Sequence, residues 1–317
     1  MIVRFVVLLA ALALVACAAP APAPEPTKPA DFTGVVQAIA PTVVTVRTGQ
    51  AVGSGVVYKR DVVVTNEHVV TGSAEVTVNY ADGSESGASV IAADPATDVA
   101  VLRTDRADLT PAEFETDLPG QGAWVLAIGS PLGLQNSVTV GVVSGLHRSL
   151  GANIEDLMQT DAPISPGNSG GALVDARGQV VGLNEAYVPP QTGAESLGFA
   201  IPAATVVNVA DRLLAGDNVV HVHLGVSVGE LTEDIRARLG VDASGGALVL
   251  GVEPDSPAAE AGARPGDAIV RFGDAPVSDV DDLFTALRGR APGDQVTAVV
   301  IRHGERVDLR VTLAARR

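Results

Sequence analysis

Residues 166–171 read Pro-Gly-Asn-Ser-Gly-Gly, and the role of Ser169 in that stretch decides between two folds. A serine among glycines lets backbone approach a substrate closely. Acyl-transfer enzymes expose a hydroxyl and aim N–H groups at a developing oxyanion in this way. A plain Gly-rich turn has the same composition, so the motif alone settles nothing. Gly167 to Gly171 also fits the G-x-S-x-G elbow of α/β-hydrolases, whose acid and histidine follow the serine on a parallel sheet with crossover helices. Downstream of Ser169 only His221, His223 and His303 are available, and all lie in the linker or in a second unit. Upstream, Thr65-Asn66-Glu67-His68 places a histidine just after a Val-rich run, and Asp98 stands at the mouth of another. The order His68, Asp98, Ser169 is that of the chymotrypsin-type triad, in which His accepts the serine proton and Asp fixes the imidazole tautomer.

The surroundings favour short strands over alternating strands and helices. Candidate strands are Thr42–Arg47, Gly55–Tyr58, Val62–Thr65, Glu75–Tyr80, Asp98–Arg103, Trp124–Ile128 and Val138–Val143, with Asp82-Gly83 as a hairpin turn. This spacing predicts a sandwich or barrel. A helix follows, entered at Pro202 and ended by Gly216, with Val206, Val207, Ala210, Leu213 and Leu214 on one face. After a link at 217–222 a second unit of small α+β type begins. Its first helix has Ser256 as N-cap, Pro257 at N1 and Gly262 past its end. A second helix is expected over Asp279–Arg288, with Ser278 and Asp281 at capping-box spacing and Val280, Leu283, Phe284 and Leu287 on its apolar face. Strands Val296–Arg302 and Val307–Leu313 flank a His303-Gly304 turn.

Composition narrows the function. The 317 residues carry a formal charge of −16, which speaks against nucleic acid as a partner, because phosphate neutralisation needs clustered Lys and Arg. Hydrophobic residues make up 47% and aromatics 3%, so the core must be filled by Val, Ala, Leu and Ile. The one cysteine, Cys17, excludes an internal disulfide and a Cys-based zinc cage. His221 and His223 at i, i+2 lack a carboxylate partner in sequence, so no metal or other cofactor is expected. Residues 1–16 have a basic residue, Arg4, followed by an apolar run from Phe5 to Ala16. That run is too short to span a bilayer and fits a signal peptide. Leu14-Val15-Ala16-Cys17 resembles a bacterial lipobox, which makes Cys17 the candidate lipid attachment site; Ala16-Cys17-Ala18 also satisfies an ordinary cleavage rule, giving a secreted soluble protein. Residues 17–30 are then an Ala/Pro-rich, semi-rigid tether.

Several motifs in order resemble the HtrA/DegP family of trypsin-like serine proteases: TNEHVV (65–70), DPATDVAVL (94–102), MQTDAPISPGNSGGALVD (158–175), VVGLNEA (180–186) and LGFAIP (197–202). HLGV (223–226) and SPAAEAGARPGDAIV (256–270) look like that family's PDZ domain. The resemblance implies a mostly β protein: a chymotrypsin-like double β-barrel over 31–216 followed by a small α+β PDZ domain over 222–317. It implies His68 as general base, Asp98 as its orienting acid, Ser169 as nucleophile, and the loop Gly167, Asn168, Ser169 as the oxyanion hole. Arg148, in GLHRSL, falls where the family's sensor loop carries a basic residue, which suggests an activation relay. Leu224, Gly225 and Val226 would bind a peptide C-terminus by strand addition. The implied function is a serine endopeptidase of extracytoplasmic protein quality control. It would be lipid-anchored to a bacterial membrane, in the periplasm or at the cell surface, act on misfolded or signal-bearing proteins, and assemble as a homotrimer. The alternative is a PDZ-bearing chaperone or sensor with negligible proteolysis. Asn168 precedes the serine where digestive relatives carry Asp, so activation by a freed N-terminal amine is not expected. Pro163 stands where basic-residue selectivity needs Asp, which points to small aliphatic residues at the cleavage site. Ser165 and Ala172 depart from the family's INPGNSGGP without removing a catalytic group. The Thr48–Val52 loop is too short to build the larger cages of some members.

Overall fold

Alternating Val-rich strands with Gly at the points of closest approach roll into two barrels. The computed structural model describes residues 31–73, 75–130, 137–150, 154–187, 197–217, 219, 221–239, 241, 245–288 and 290–315. A short helix α1 (Thr33–Ile39) leads into the first barrel: β1 (Val43–Thr48), β2 (Val52–Lys59), β3 (Val62–Asn66), a one-turn helix α2 (Glu67–Val70), β4 (Val76–Asn79), β5 (Glu85–Asp94) and β6 (Val99–Thr104). Its strands close in the order β1-β2-β3-β6-β5-β4. The second barrel holds β7 (Trp124–Gly129), β8 (Ser137–Leu150), β9 (Ile154–Thr160), β10 (Ala172–Asp175), β11 (Val180–Tyr187) and β12 (Gly198–Pro202). It closes as β7-β8-β9-β12-β11-β10, the same path as the first. The chain is thus mostly β with two six-stranded barrels, as in chymotrypsin-like proteases. Valines dominate the first core (Val44, Val46, Val57, Val63, Val78), and Leu173, Met158, Val125 and Ala200 fill the second.

Helix α3 (Ala203–Ala215) ends where Gly216 takes φ 78°, and its N–H caps the carbonyls of Arg212 and Leu213. Its buried face is Ala203, Val206, Val209, Ala210 and Leu213. Val209 takes the place expected for Val207 and Leu214, which are only half-buried. Beyond it come β13 (Val222–His223), β14 (Val226–Glu230), α4 (Glu233–Leu239), β15 (Ala247–Val252), α5 (Pro257–Glu260), β16 (Ala268–Phe272), β17 (Ala275–Pro276), α6 (Val280–Arg288), β18 (Gln295–Arg302), β19 (Glu305–Thr312) and β20 (Ala314–Ala315). The main sheet runs β14-β15-β16-β18-β19, which leaves β14 on an edge. Phe272, Leu283, Val300 and Leu313 are its buried centre. The Ser256 cap forms as expected, its hydroxyl accepting the Ala259 N–H at 3.2 Å. The cap of α6 lies one residue later than expected. Asp279 accepts the Asp282 N–H at 2.9 Å, and Asp282 in turn accepts the Ser278 N–H at 2.8 Å. The helix begins at Val280, so Asp279 rather than Ser278 is the residue before it and takes the cap.

Candidate active site at the seam of the two barrels

Strand β3 delivers His68 through α2, and the carbonyl of Asp98 anchors that turn by accepting both the Asn66 Nδ2–H (3.0 Å) and the Glu67 N–H (3.1 Å). Asp98 itself takes φ 55°, a left-handed conformation that Asp tolerates better than most residues. Its carboxylate then holds His68 at two points: Oδ1 accepts the backbone N–H at 2.8 Å, and Oδ2 lies 2.6 Å from Nδ1. With Nδ1 protonated toward Asp98, the lone pair is on Nε2, the tautomer a general base needs. The hydrogen bond that the ring donates to Asp98 is the main reason that the imidazole pKa is raised, against an opposing contribution from burial.

Ser169 comes from the second barrel. Asn168 N–H closes a turn onto Ser165 O at 2.9 Å, with Pro166 second and Gly167 third at φ 99°, the residue types and sign that a type II turn demands. The N–H groups of Gly167 and Ser169 donate to no described residue and remain available to an oxyanion. Asn168 is buried, and its own N–H is consumed by the turn. Ser54 rivets the loop to the first barrel: its hydroxyl donates to Gly167 O (2.7 Å), its N–H donates to Ser169 O (2.8 Å), and its Oγ accepts the Ser130 N–H (2.8 Å). Gly170 and Gly171 are required by the close packing of this loop. A Cβ on Gly170 would lie 2.2 Å from Ser54 O, and one on Gly171 2.3 Å from Ile128 O. In this ground state the Ser169 hydroxyl donates to the Glu185 carbonyl at 3.0 Å.

Glu185 was not singled out by the sequence reading. The available signal was a carboxylate just past the apolar run Val180–Leu183, inside the VVGLNEA motif. Its side chain is buried beside His68 and Asp98, and burial, reinforced by the Asp98 charge, pushes its carboxyl up to about 7. One nitrogen or oxygen from each of the three residues lies within 4.8 Å of the others. A zinc ion between His68 and Asp98, at about 2.0 Å from each, would hold them about 3.3 Å apart. The observed 2.6 Å is instead the length of a charge-assisted hydrogen bond.

The other expected residues are placed as follows. Arg148 lies on β8, and among the described residues its guanidinium hydrogen-bonds to Gln159 at 3.2 Å, not to the serine loop. His221 and His223 go to different carboxylates, Asp94 at 2.6 Å and Glu253 at 3.0 Å. Cys17 lies outside the described residues. Leu224, Gly225 and Val226 line a groove with Leu283, Phe284 and Leu287 of α6. Gly225 takes φ 78°, and a Cβ there would lie 2.2 Å from that of Ser256. Phe284 and Leu287, expected to be core, are half-buried because they form the groove wall. Asp156 of β9 binds this unit to the second barrel, accepting from Arg288 at 2.9 Å while His147 holds its other oxygen at 2.7 Å.

Two barrels of one strand path, with a His–Asp pair on one wall and a glycine-flanked serine on the other, define a trypsin-like architecture. Residues 53–183 match the trypsin-like peptidase domain family, and residues 222–313 match the PDZ domain family. A probable periplasmic serine endoprotease DegP-like from Brucella suis biovar 1 (strain 1330) is 39% identical over 270 residues, covering 84% of this chain and 53% of that protein. Its counterpart in Pseudomonas savastanoi pv. phaseolicola (strain 1448A / Race 6) is 40% identical over 272 residues, covering 85% and 57%. The chain therefore spans little more than half the length of these relatives. Among solved structures, an HtrA-type protease AlgW with tripeptide superimposes with a TM-score of 0.70 at 36% identity, covering 90% of this chain and 98% of that one. The serine endoprotease from Yersinia pestis gives 0.59 at 30% identity, covering 91% and 99%. The chain belongs to the HtrA/DegP family of trypsin-like serine proteases with a PDZ domain.

Proposed function

We propose that this chain is a serine endopeptidase that cleaves misfolded or signal-bearing proteins outside the cytoplasm. The observation that carries the reading is the two-point grip of Asp98 on His68, which fixes the base in its active tautomer. Ser169 Oγ turns from the Glu185 carbonyl to His68 Nε2 and attacks the peptide carbonyl carbon as its proton passes to that nitrogen. The carbonyl oxygen, now negative, is held by the N–H groups of Gly167 and Ser169, with Asn168 shaping the loop; each such donor contributes about 3–4 kcal/mol where measured elsewhere. The imidazolium gives its proton to the leaving amine. Water, deprotonated by the same imidazole, then releases the acyl group and regenerates Ser169. Pro163 and the buried Ile164, packed on Gly198, favour small aliphatic residues at the cleaved position.

Leu224, Gly225 and Val226 bind a C-terminal carboxylate, and the peptide adds to the β14 edge. The names of the relatives support a periplasmic location. The lipobox-like sequence supports a lipid anchor at Cys17, which suits a chain whose described residues include no helix long and apolar enough to cross a membrane. We further assign a homotrimer by family likeness. The test is casein degradation by the chain against Ser169→Ala, with and without a peptide ending in a hydrophobic carboxylate. Loss of cleavage in the variant is expected, with a peptide-dependent rate in the parent. A folded parent inactive in both conditions overturns the reading in favour of a binding module.

A further inference from the structure

Glu185 touches the site twice. Its carbonyl accepts the Ser169 hydroxyl at 3.0 Å, and its buried carboxyl places an oxygen within 4.8 Å of both a carboxylate oxygen of Asp98 and a ring nitrogen of His68. Two buried carboxylates this close repel each other, so one of the pair keeps its proton. Asp98 accepts two N–H donors from His68, whereas Oε2 of Glu185 is buried without a partner among the described residues. The proton therefore belongs on Glu185. Charged groups on the packed elements are committed elsewhere. On α3, Asp211 pairs with Lys59 at 3.0 Å and Arg212 lines the peptide groove; on β10, Asp175 holds Arg177 at 2.7 Å. Strand β12 offers only Gly198–Pro202, and Glu67 of α2 acts on His68 rather than on Glu185. The ionisable groups that face Glu185 are thus Asp98 and His68.

We propose that Glu185 is a positioning residue of this site: its buried carboxyl carries a proton beside Asp98, and ionisation of Glu185 would hold His68 in its protonated, inactive form. The inference rests on the peptidase reading above. His68 and Glu185 favour each other's charged forms, so their protons leave as a coupled pair in two macroscopic steps. The protease gains its free base over a broader pH range, and at higher pH, than a triad with a neutral fourth residue.

The experiment compares kcat/KM and kcat from pH 5 to 9 for the full chain, Glu185→Gln and Glu185→Ala. The amide keeps a donor toward Asp98 but cannot ionise. Glu185→Gln should retain kcat near the parental value at pH 8, while its acid limb sharpens to one proton and moves down by about 0.5 pH unit or more. That shift is a fraction of the roughly 1–3 units by which a charge within ~4–6 Å moves a partner. Glu185→Ala, with no donor, should show the same limb with a lower kcat. An acid limb of unchanged midpoint and shape in both variants overturns the proposal, whatever their overall rate. A second readout needs no variant and no turnover: the low-field proton resonance of the His68–Asp98 hydrogen bond, followed over the same range. Two inflections support the proposal, and a single one overturns it. An inactive parent with two inflections would overturn the peptidase reading while leaving the proton on Glu185.

Discussion

Asp98→Asn tests the base assignment most sharply, because the substitution changes hydrogen-bond polarity while keeping shape. In the parent, both carboxylate oxygens accept from His68, one from the backbone N–H at 2.8 Å and one from Nδ1 at 2.6 Å. An amide offers one acceptor and one donor. If its oxygen keeps the backbone N–H, its NH2 faces Nδ1, the imidazole proton moves to Nε2, and no lone pair meets Ser169. The wrong tautomer is worth about 10⁴ in kcat where this change has been made in a triad, or about 5 kcal/mol of transition-state stabilisation. The hydrogen bond to Asp98 is also the main reason for the raised His68 pKa, so the acid limb of the residual activity should move to lower pH. The assay is steady-state hydrolysis of a fluorogenic peptide from pH 5 to 9, with circular dichroism to confirm the fold. A folded variant within tenfold of the parental kcat would refute the tautomer argument.

Three further outcomes follow from geometry elsewhere. Gly170→Ala combines φ 82° with a Cβ 2.2 Å from Ser54 O and 2.3 Å from Thr65 Oγ1, so the loop must shift; we expect about 2–4 kcal/mol of destabilisation by urea unfolding and about a 100-fold loss in kcat/KM. Asp267, 1% exposed, accepts a bidentate pair from Arg302 at 2.7 and 2.8 Å. Arg302→Met should destabilise the PDZ unit by about 3–5 kcal/mol, and the double variant with Asp267→Leu should recover most of it; equal losses in the two would contradict the buried-charge account. Glu185 holds its proton to about pH 7 in the folded chain against 4.5 for the free group. Its contribution to stability is therefore full below about pH 4.5 and is lost as pH rises toward 7, amounting to ~3 kcal/mol. Glu185→Gln should remove this slope from urea unfolding measured between pH 4.5 and 8, and parallel curves for the two proteins would contradict it.

The short strands, the Ser256 cap and the order His68, Asp98, Ser169 were legible because each rests on local chemistry: Val-rich alternation, a hydroxyl before Pro257, and residue types that suit one reaction. What stayed hidden depends on contacts between distant parts of the chain. Ser54 sits in an ordinary Gly-Ser-Gly stretch, and only closure of the barrels brings it to Gly167, Ser169 and Ser130. Glu185 follows an apolar run as many surface residues do, and its burial follows from the seam, not from its neighbours in sequence. Phe284 and Leu287 have core periodicity, which cannot distinguish a buried face from a groove wall. The equal strand path of the two barrels left no visible repeat, since the same topology is satisfied by many apolar sequences.

The seam also imposes an order in time. His68 and Asp98 belong to the half of the protease that is synthesised first, while Ser169 and its N–H groups belong to the half that follows. Each half by itself holds only part of the reaction: a base with nothing to deprotonate, or a hydroxyl with nothing to take its proton. Competence arises only when the later barrel closes and the Ser54 rivet engages. A chain that has folded only its first barrel therefore carries no complete triad, and cleavage has to wait for the second.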